Sequence, residues 1–76
     1  MQFDTDIDTS GMQCPMPILK AKKALSAMQG GQVLRVTTTD PGAERDFQAF
    51  ARQTGNALLG QAAHGNSMVH YLRRRD

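Results

Sequence analysis

Apolar and polar residues alternate at the start of the chain: Phe3, Thr5 and Ile7 interleave with Asp4, Asp6 and Asp8. A period of two predicts a half-buried strand over residues 2–7. A short loop, Thr9-Ser10-Gly11-Met12-Gln13, follows. From Pro15 the period changes. Ile18, Ala21, Ala24, Leu25 and Met28 fall on one face at about 100° per residue. Met16, Lys20, Lys23 and Ala27 fall opposite, so the spacing predicts a helix from Pro15 to about Gln29. Gly30-Gly31 reads as its left-handed stop. Residues 32–39, with Val33, Leu34, Val36 and Thr37 to Thr39, are β-branched and strand-like.

Asp40-Pro41 reads as a second helix start. Aspartate can accept from the free N–H groups of a first turn, and proline fits the first helical position. Ala43, Phe47, Phe50, Ala51 and Thr54 then share a face, with Arg45, Gln48 and Arg52 opposite and Gly55 ending the helix. Residues 56–63 and 67–73 predict two strands joined at His64-Gly65-Asn66. The order is β-α-β-α-β-β. Each helix carries one apolar stripe, so each should lie on a sheet. The expected fold is α+β: a two-layer sandwich with both helices on one face of a four-stranded mixed sheet.

Length and composition narrow the function. With 76 residues, the chain is expected to form one domain, 1–76, with a modest core. No apolar run reaches the roughly 20 residues of a membrane span. The acidic start, Met1-Gln2-Phe3-Asp4, lacks the pattern of a signal peptide, and a cytoplasmic location is expected. The net charge is only +2, and Arg73, Arg74 and Arg75 less Asp76 account for it. That is too little to argue for nucleic acid. The arginine run reads as a solvated, frayed terminus.

A lone cysteine, Cys14, excludes an internal disulfide, a CxxC redox pair and a multi-cysteine zinc site. Its setting is unusual: Gly11-Met12-Gln13-Cys14-Pro15-Met16-Pro17 joins the first strand to the first helix. Cys14 is expected at the N-cap, with Pro15 and Pro17 in the first turn, where an N–H has no helical partner. The positive end of a helix favours a thiolate, so a lowered thiol pKa is expected. With two prolines lacking N–H groups, Met16 is the expected donor to the sulfur. Gly11 is expected to turn the loop and leave room near the sulfur.

A lone cysteine can also be an inert, buried, hydrophobe-like residue. A loop at a helix start favours exposure instead. A cysteine hydrolase needs a histidine base, and nothing places His64 or His70 beside Cys14. His64 reads as a turn residue and His70 as a packing or hydrogen-bonding residue of the sheet. What remains is chemistry that one thiol performs alone, with carriage of sulfur as a persulfide foremost. Met12 and Met16 flank the thiol as an adaptable rim, and Lys20 and Lys23, with Arg45, are candidates for steering acidic partners.

The run Gly11-x-x-Cys14-Pro15-x-Pro17 closely resembles the signature of the TusA/SirA family of small sulfur carriers. Asp8 stands three residues before Gly11, and Asp40-Pro41 with Arg45, Asp46 and Phe50 resembles the family's second helix start. The resemblance implies that Cys14 becomes a persulfide and that Gly11, Pro15, Met16 and Pro17 shape its loop. Asp40 would cap the second helix. It also implies a cysteine desulfurase or rhodanese-type donor and a downstream sulfur-relay acceptor, notably for 2-thiouridine formation in tRNA. No cofactor, metal, direct nucleic-acid contact or membrane insertion is implied, and a monomer suffices. Many family members carry a cysteine where this chain has Ala51, on the apolar face. A non-catalytic adaptor of the same fold and a small RNA-binding domain are the other function classes.

Overall fold

The elements are β1 (Thr5–Asp8), α1 (Met16–Ser26), β2 (Val33–Thr38), α2 (Ala43–Thr54), β3 (Ala57–His64) and β4 (Ser67–Arg73). The structure, a computed structural model, describes residues 1–76. The four strands form one mixed sheet in the order β1-β2-β4-β3. β1 runs parallel to β2, while β4 is antiparallel to both β2 and β3. The expected element order and two-layer α+β architecture are what the chain adopts.

Alternation decides which sheet residues meet the helices. Leu34, Val36 and Thr38 of β2 point inward, matched across the ladder by Leu72, His70 and Met68 of β4. Ala21 and Leu25 of α1, Met28 just beyond it, and Ala43, Phe47, Phe50 and Ala51 of α2 close the same core. Ile7, Ile18, Ala24 and Leu58 pack at its margin. Phe47 lies edge-on to Phe50, with ring centroids 6.1 Å apart at 78°. Its other face stacks on His70 at 4.5 Å and 24°. The apolar stripes predicted for both helices are therefore the faces that fill the core.

The departures lie at element ends. β1 starts at Thr5, and Phe3 stays outside the core, its ring 4.0 Å beneath the Arg35 guanidinium. Arg35 in turn pairs through both oxygens of Asp6, at 2.9 and 3.1 Å, on the sheet face away from the helices. α1 stops at Ser26 rather than near Gln29. The last turn tightens, Ala27 N–H reaching Ala24 O and Met28 N–H reaching Leu25 O at 3.1 Å each. The left-handed Gly31, φ +88°, is not the helix stop but the turn into β2.

α2 begins at Ala43 with Gly42 as N-cap, and no side chain caps it. Asp40 is thus not the cap. Pro41-Gly42 form a turn first, closed by Ala43 N–H on the Asp40 carbonyl at 3.0 Å. The free N–H groups of the first turn instead face the charge of Glu44 and Asp46. The other end follows the sequence closely: Gly55 at φ +80° accepts the left-handed conformation that stops a helix.

The arginine run is not frayed. Arg74 donates from Nε to Leu25 O at 2.7 Å, satisfying a carbonyl near the end of α1. Its N–H bonds Gln32 O at 2.9 Å, and Arg75 N–H bonds Asn56 Oδ1 at 2.8 Å. The C-terminus is stitched to three other parts of the chain. No helix is long and apolar enough to cross a membrane.

Candidate functional site

The loop between β1 and α1 is built by short polar contacts. Thr9 is buried, with its N–H and hydroxyl both donating to Thr37 O at 2.8 and 2.7 Å. Its carbonyl accepts from Met12 N–H at 3.0 Å. Asp8 Oδ1 accepts from Ser10 through Oγ at 2.6 Å and through N–H at 3.0 Å, and these bonds lower its pKa. Gly11 N–H reaches Thr39 Oγ1 at 2.8 Å. Gly11 adopts φ +80°, which an L residue rarely holds, while a Cβ there would meet open space. The glycine is required for its backbone angle, not for room near the sulfur.

This frame leaves Cys14 exposed. Cys14 lies one residue before the N-cap, which is Pro15. The Cys14–Pro15 peptide is cis. Met16 N–H does not turn to the sulfur; it donates to Gln13 O at 2.8 Å. The reason is local. Two prolines remove donors from the first turn, and Met16 N–H closes the preceding turn on Gln13 O.

The thiol pKa is raised, opposite to expectation. The largest cause is the neighbouring Asp46 carboxylate, which favours the protonated sulfur. Partial desolvation and the negative charges of Asp46 and Asp40 act the same way. Asp46 stands in the first turn of α2, far from Cys14 in sequence, and only the packing of α2 beside α1 brings it here. Its position after Asp40-Pro41 was the sole clue to it.

The remaining candidates divide into separate places. Met12, Lys20 and Lys23 share an open groove of about 400 Å³ with Ile7, Asp8, Ala24 and Ala27. Met16 is 41% and Leu19 49% exposed, so an apolar pair three residues apart flanks the thiol loop. Leu19 escaped the sequence reading because it falls off the helix stripe. Pro17 is buried and anchors the loop to the helix. Arg45 does not join Lys20 and Lys23; it lines a shallow depression with Pro41, Gly42, Glu44, Asp46 and Gln48. Ala51 is buried in the core.

The histidines part company. His64 is exposed at the end of β3, paired with Ser67 across a Gly65-Asn66 turn. His70 is fully buried. Gln61 Nε2 donates to its Nδ1 at 3.0 Å, which leaves Nε2–H to donate to Thr38 Oγ1 at 2.8 Å. Burial lowers its pKa to about 4, so the ring is neutral at pH 7. Neither ring is placed as a base for Cys14. No three His, Cys, Asp or Glu side chains gather as a metal site would require.

Comparison with known proteins agrees with this layout. The family profile described as sulfurtransferase TusA matches residues 5–74. A sulfur carrier protein TusA from Allochromatium vinosum is 54% identical over 70 residues, 92% of this chain and 91% of that protein. A TusA sulfur carrier from Pseudomonas entomophila is 32% identical over 72 residues, 95% and 90% of the two chains. The fold is shared with a SirA-like protein from Desulfitobacterium hafniense, with a TM-score of 0.83 and 23% identity over 96% of this chain and all of that one. The glycine-cysteine-proline loop between β1 and α1, the fold around it and these likenesses together show that the chain belongs to the TusA family of sulfur carrier proteins.

Proposed function

We propose that the protein is a protein-to-protein sulfurtransferase carrier, a single domain over residues 1–76 that takes a sulfane sulfur as a persulfide on Cys14. The exposure of Cys14 at a rigid strand-to-helix junction, in a chain of this family, carries the reading. The site is small. Cys14 is the nucleophile; Gly11 and the two prolines, Pro15 and Pro17, hold its loop; Met16 borders it. A carrier of this kind must be reached by two different proteins, and an exposed thiol with an apolar flank serves both.

Loading needs no cofactor. The Cys14 sulfur attacks the outer sulfur of a donor persulfide, the donor's S–S bond breaks, and the donor recovers its thiol. Unloading is the same exchange with Cys14 as donor. A cysteine desulfurase or rhodanese-type protein is the fitting donor, and a cysteine-bearing relay protein the acceptor. A cytoplasmic relay toward 2-thiouridine in tRNA is the pathway this family suggests, without direct RNA contact by this chain. The groove of Met12, Lys20 and Lys23 is the docking face offered to partners, with Arg45 on a second side. A monomer is sufficient for the cycle.

Mass spectrometry of the intact protein after incubation with a desulfurase and cysteine tests the proposal. The expected result is a gain of one sulfur, reversed by dithiothreitol and absent from Cys14→Ser. Absence of any adduct with desulfurase and rhodanese-type donors alike would favour a non-catalytic adaptor.

A further inference from the structure

The end of the molecule away from the thiol is basic. α1 and α2 both finish there: Ser26 and Thr54 line one depression together with Lys22, Asn56, Arg74 and Arg75. A second depression of about 450 Å³ adjoins it, lined in part by Gly31, Gly55, Arg73, Arg74, Arg75 and Asp76. Cys14 precedes α1, whereas Arg74 bonds a carbonyl near its far end. The 11 residues of α1, about 16 Å of helix, therefore separate the thiol from the arginines.

Part of this charge serves the fold. A helix C-terminus is partially negative, and Arg74 answers it at Leu25 O. Arg73 and Arg75 are exposed, and neither is in an ion pair, since Arg35 with Asp6 is the molecule's one salt bridge. Asp76 lies among the arginines without pairing. Yet the segment is held in place. Arg75 N–H bonds Asn56 Oδ1 at 2.8 Å. The Arg75 side chain lies across Gly55, where a methyl group would sit 3.6 Å from its Cδ and 3.9 Å from its Nη1. A methyl group on Gly30 would come within 2.8 Å of Asp76 Oδ1. The backbone that bears the arginines is thus fixed before anything binds, which lowers the ordering cost of binding.

We propose that this pole is a further docking surface, which takes an acidic segment of a partner protein and leaves Cys14 free at the other end of α1. Guanidinium groups match carboxylates through paired N–H donors. A chain held by this pole still presents its thiol. Carboxylates fit the pole better than phosphates do. A compact phosphate site draws on free main-chain N–H groups. Those of Gly31 and Gly55 already bond Arg74 O and Ala51 O, at 2.9 Å each, and the helix ends nearby are the negative ones. Nor is there a stacking platform for bases: Phe50, the one aromatic ring at either depression, is buried in the core.

The test is titration of a hexaglutamate peptide into the isotope-labelled protein, followed by NMR. The amide signals of Gly31, Gly55, Arg73 and Arg75 should move, and those of Gly11 and Cys14 should stay. Salt should weaken binding, because exposed charges are screened. Arg73→Ala with Arg75→Ala should weaken it severalfold, and lysine at both positions should weaken it less. Asp76→Asn should tighten it by removing a competing carboxylate. No movement at millimolar peptide would overturn the proposal, as would movement centred on Lys20 and Lys23. An oligouridylate of equal charge that binds the same residues more tightly would also overturn it and give the pole to nucleic acid. Should the double alanine variant fail to fold, wild-type binding indifferent to salt would overturn it. Sulfur loading of Cys14, assayed separately, has no part in this readout, so the docking surface and the carrier reading fail independently.

Discussion

His70 and Cys14 show how differently one small domain can treat a polar side chain. His70 lies in the core, stacked on Phe47 and bonded at both ring nitrogens. Its partner Gln61 also donates to Glu44 O at 2.9 Å and accepts from Gln48 Nε2 at 3.1 Å. The chain of bonds ties α2 to β3, β4 and β2, and no buried side-chain polar atom is left without a partner. Cys14 is the converse: exposed, at a loop, under the negative charge of Asp46 and Asp40. Both have shifted pKa values, yet only burial moves His70 and mainly a neighbouring carboxylate moves Cys14. A shifted pKa therefore does not by itself mark the reactive group. Access and unsatisfied chemistry separate the two.

That contrast can be broken at either end. The largest effect is expected at the exposed end: Cys14→Ser should lose sulfur loading entirely. Its melting should change little, because an exposed substitution usually moves stability by under about 0.5 kcal/mol. A large loss of melting temperature would put Cys14 in the structural class with His70. At the buried end, Phe47→Ala removes the ring between Phe50 and His70 and should cost about 3–5 kcal/mol in chemical denaturation. In a domain this small, that is most of the stability.

Acid sharpens the contrast. His70 has its folded pKa depressed to about 4, below the ordinary histidine value of about 6.5. The unfolded chain then binds more protons between these values, so stability is complete above pH 6.5 and is lost as pH falls toward 4. The loss should reach at most about 3 kcal/mol, since one pKa unit is worth 1.36 kcal/mol. Urea midpoints at pH 7, 5.5 and 4.5 measure it, and a His70→Gln variant should flatten the slope. A flat wild-type profile would remove His70 from the core account. Thr38→Val, which strands the Nε2–H of His70 in the core, should cost about 1–3 kcal/mol.

The smallest effect is expected at the docking groove. Lys20→Glu with Lys23→Glu should leave melting unchanged and slow loading from a donor severalfold at low salt, less at high salt. Equal rates at low salt would remove the lysines from the docking face.

The same contrast explains how much was legible in the sequence. Burial writes a periodic pattern, so the faces of Ala21 and Leu25 on α1 and of Phe47 and Phe50 on α2 could be read directly. Gly55 named its own helix end. The thiol was legible because Gly11, Pro15 and Pro17 surround it within one short stretch. What was not legible depends on partners distant in the chain. Asp46 bears on Cys14 only once the helices are packed, so the sign of the thiol's shift is not written in the sequence. Arg74 and Arg75 looked loose because their partners, Leu25 O and Asn56 Oδ1, belong to other elements. Asp40-Pro41 carries a helix-start signature, but the turn through Gly42 delays the helix to Ala43 and leaves Asp40 outside it.

The measurement closest to the central claim is a round trip of one sulfur atom. Protein loaded on Cys14 is freed of donor and mixed with a cysteine-bearing relay protein, and the intact masses of both are followed. The account predicts that the extra sulfur leaves Cys14 and appears on the acceptor, with no transfer from Cys14→Ser carried through the same steps. A sulfur that stays on Cys14 with every relay acceptor, and leaves only under a reductant, would contradict it and make Cys14 a site of modification rather than a carrier.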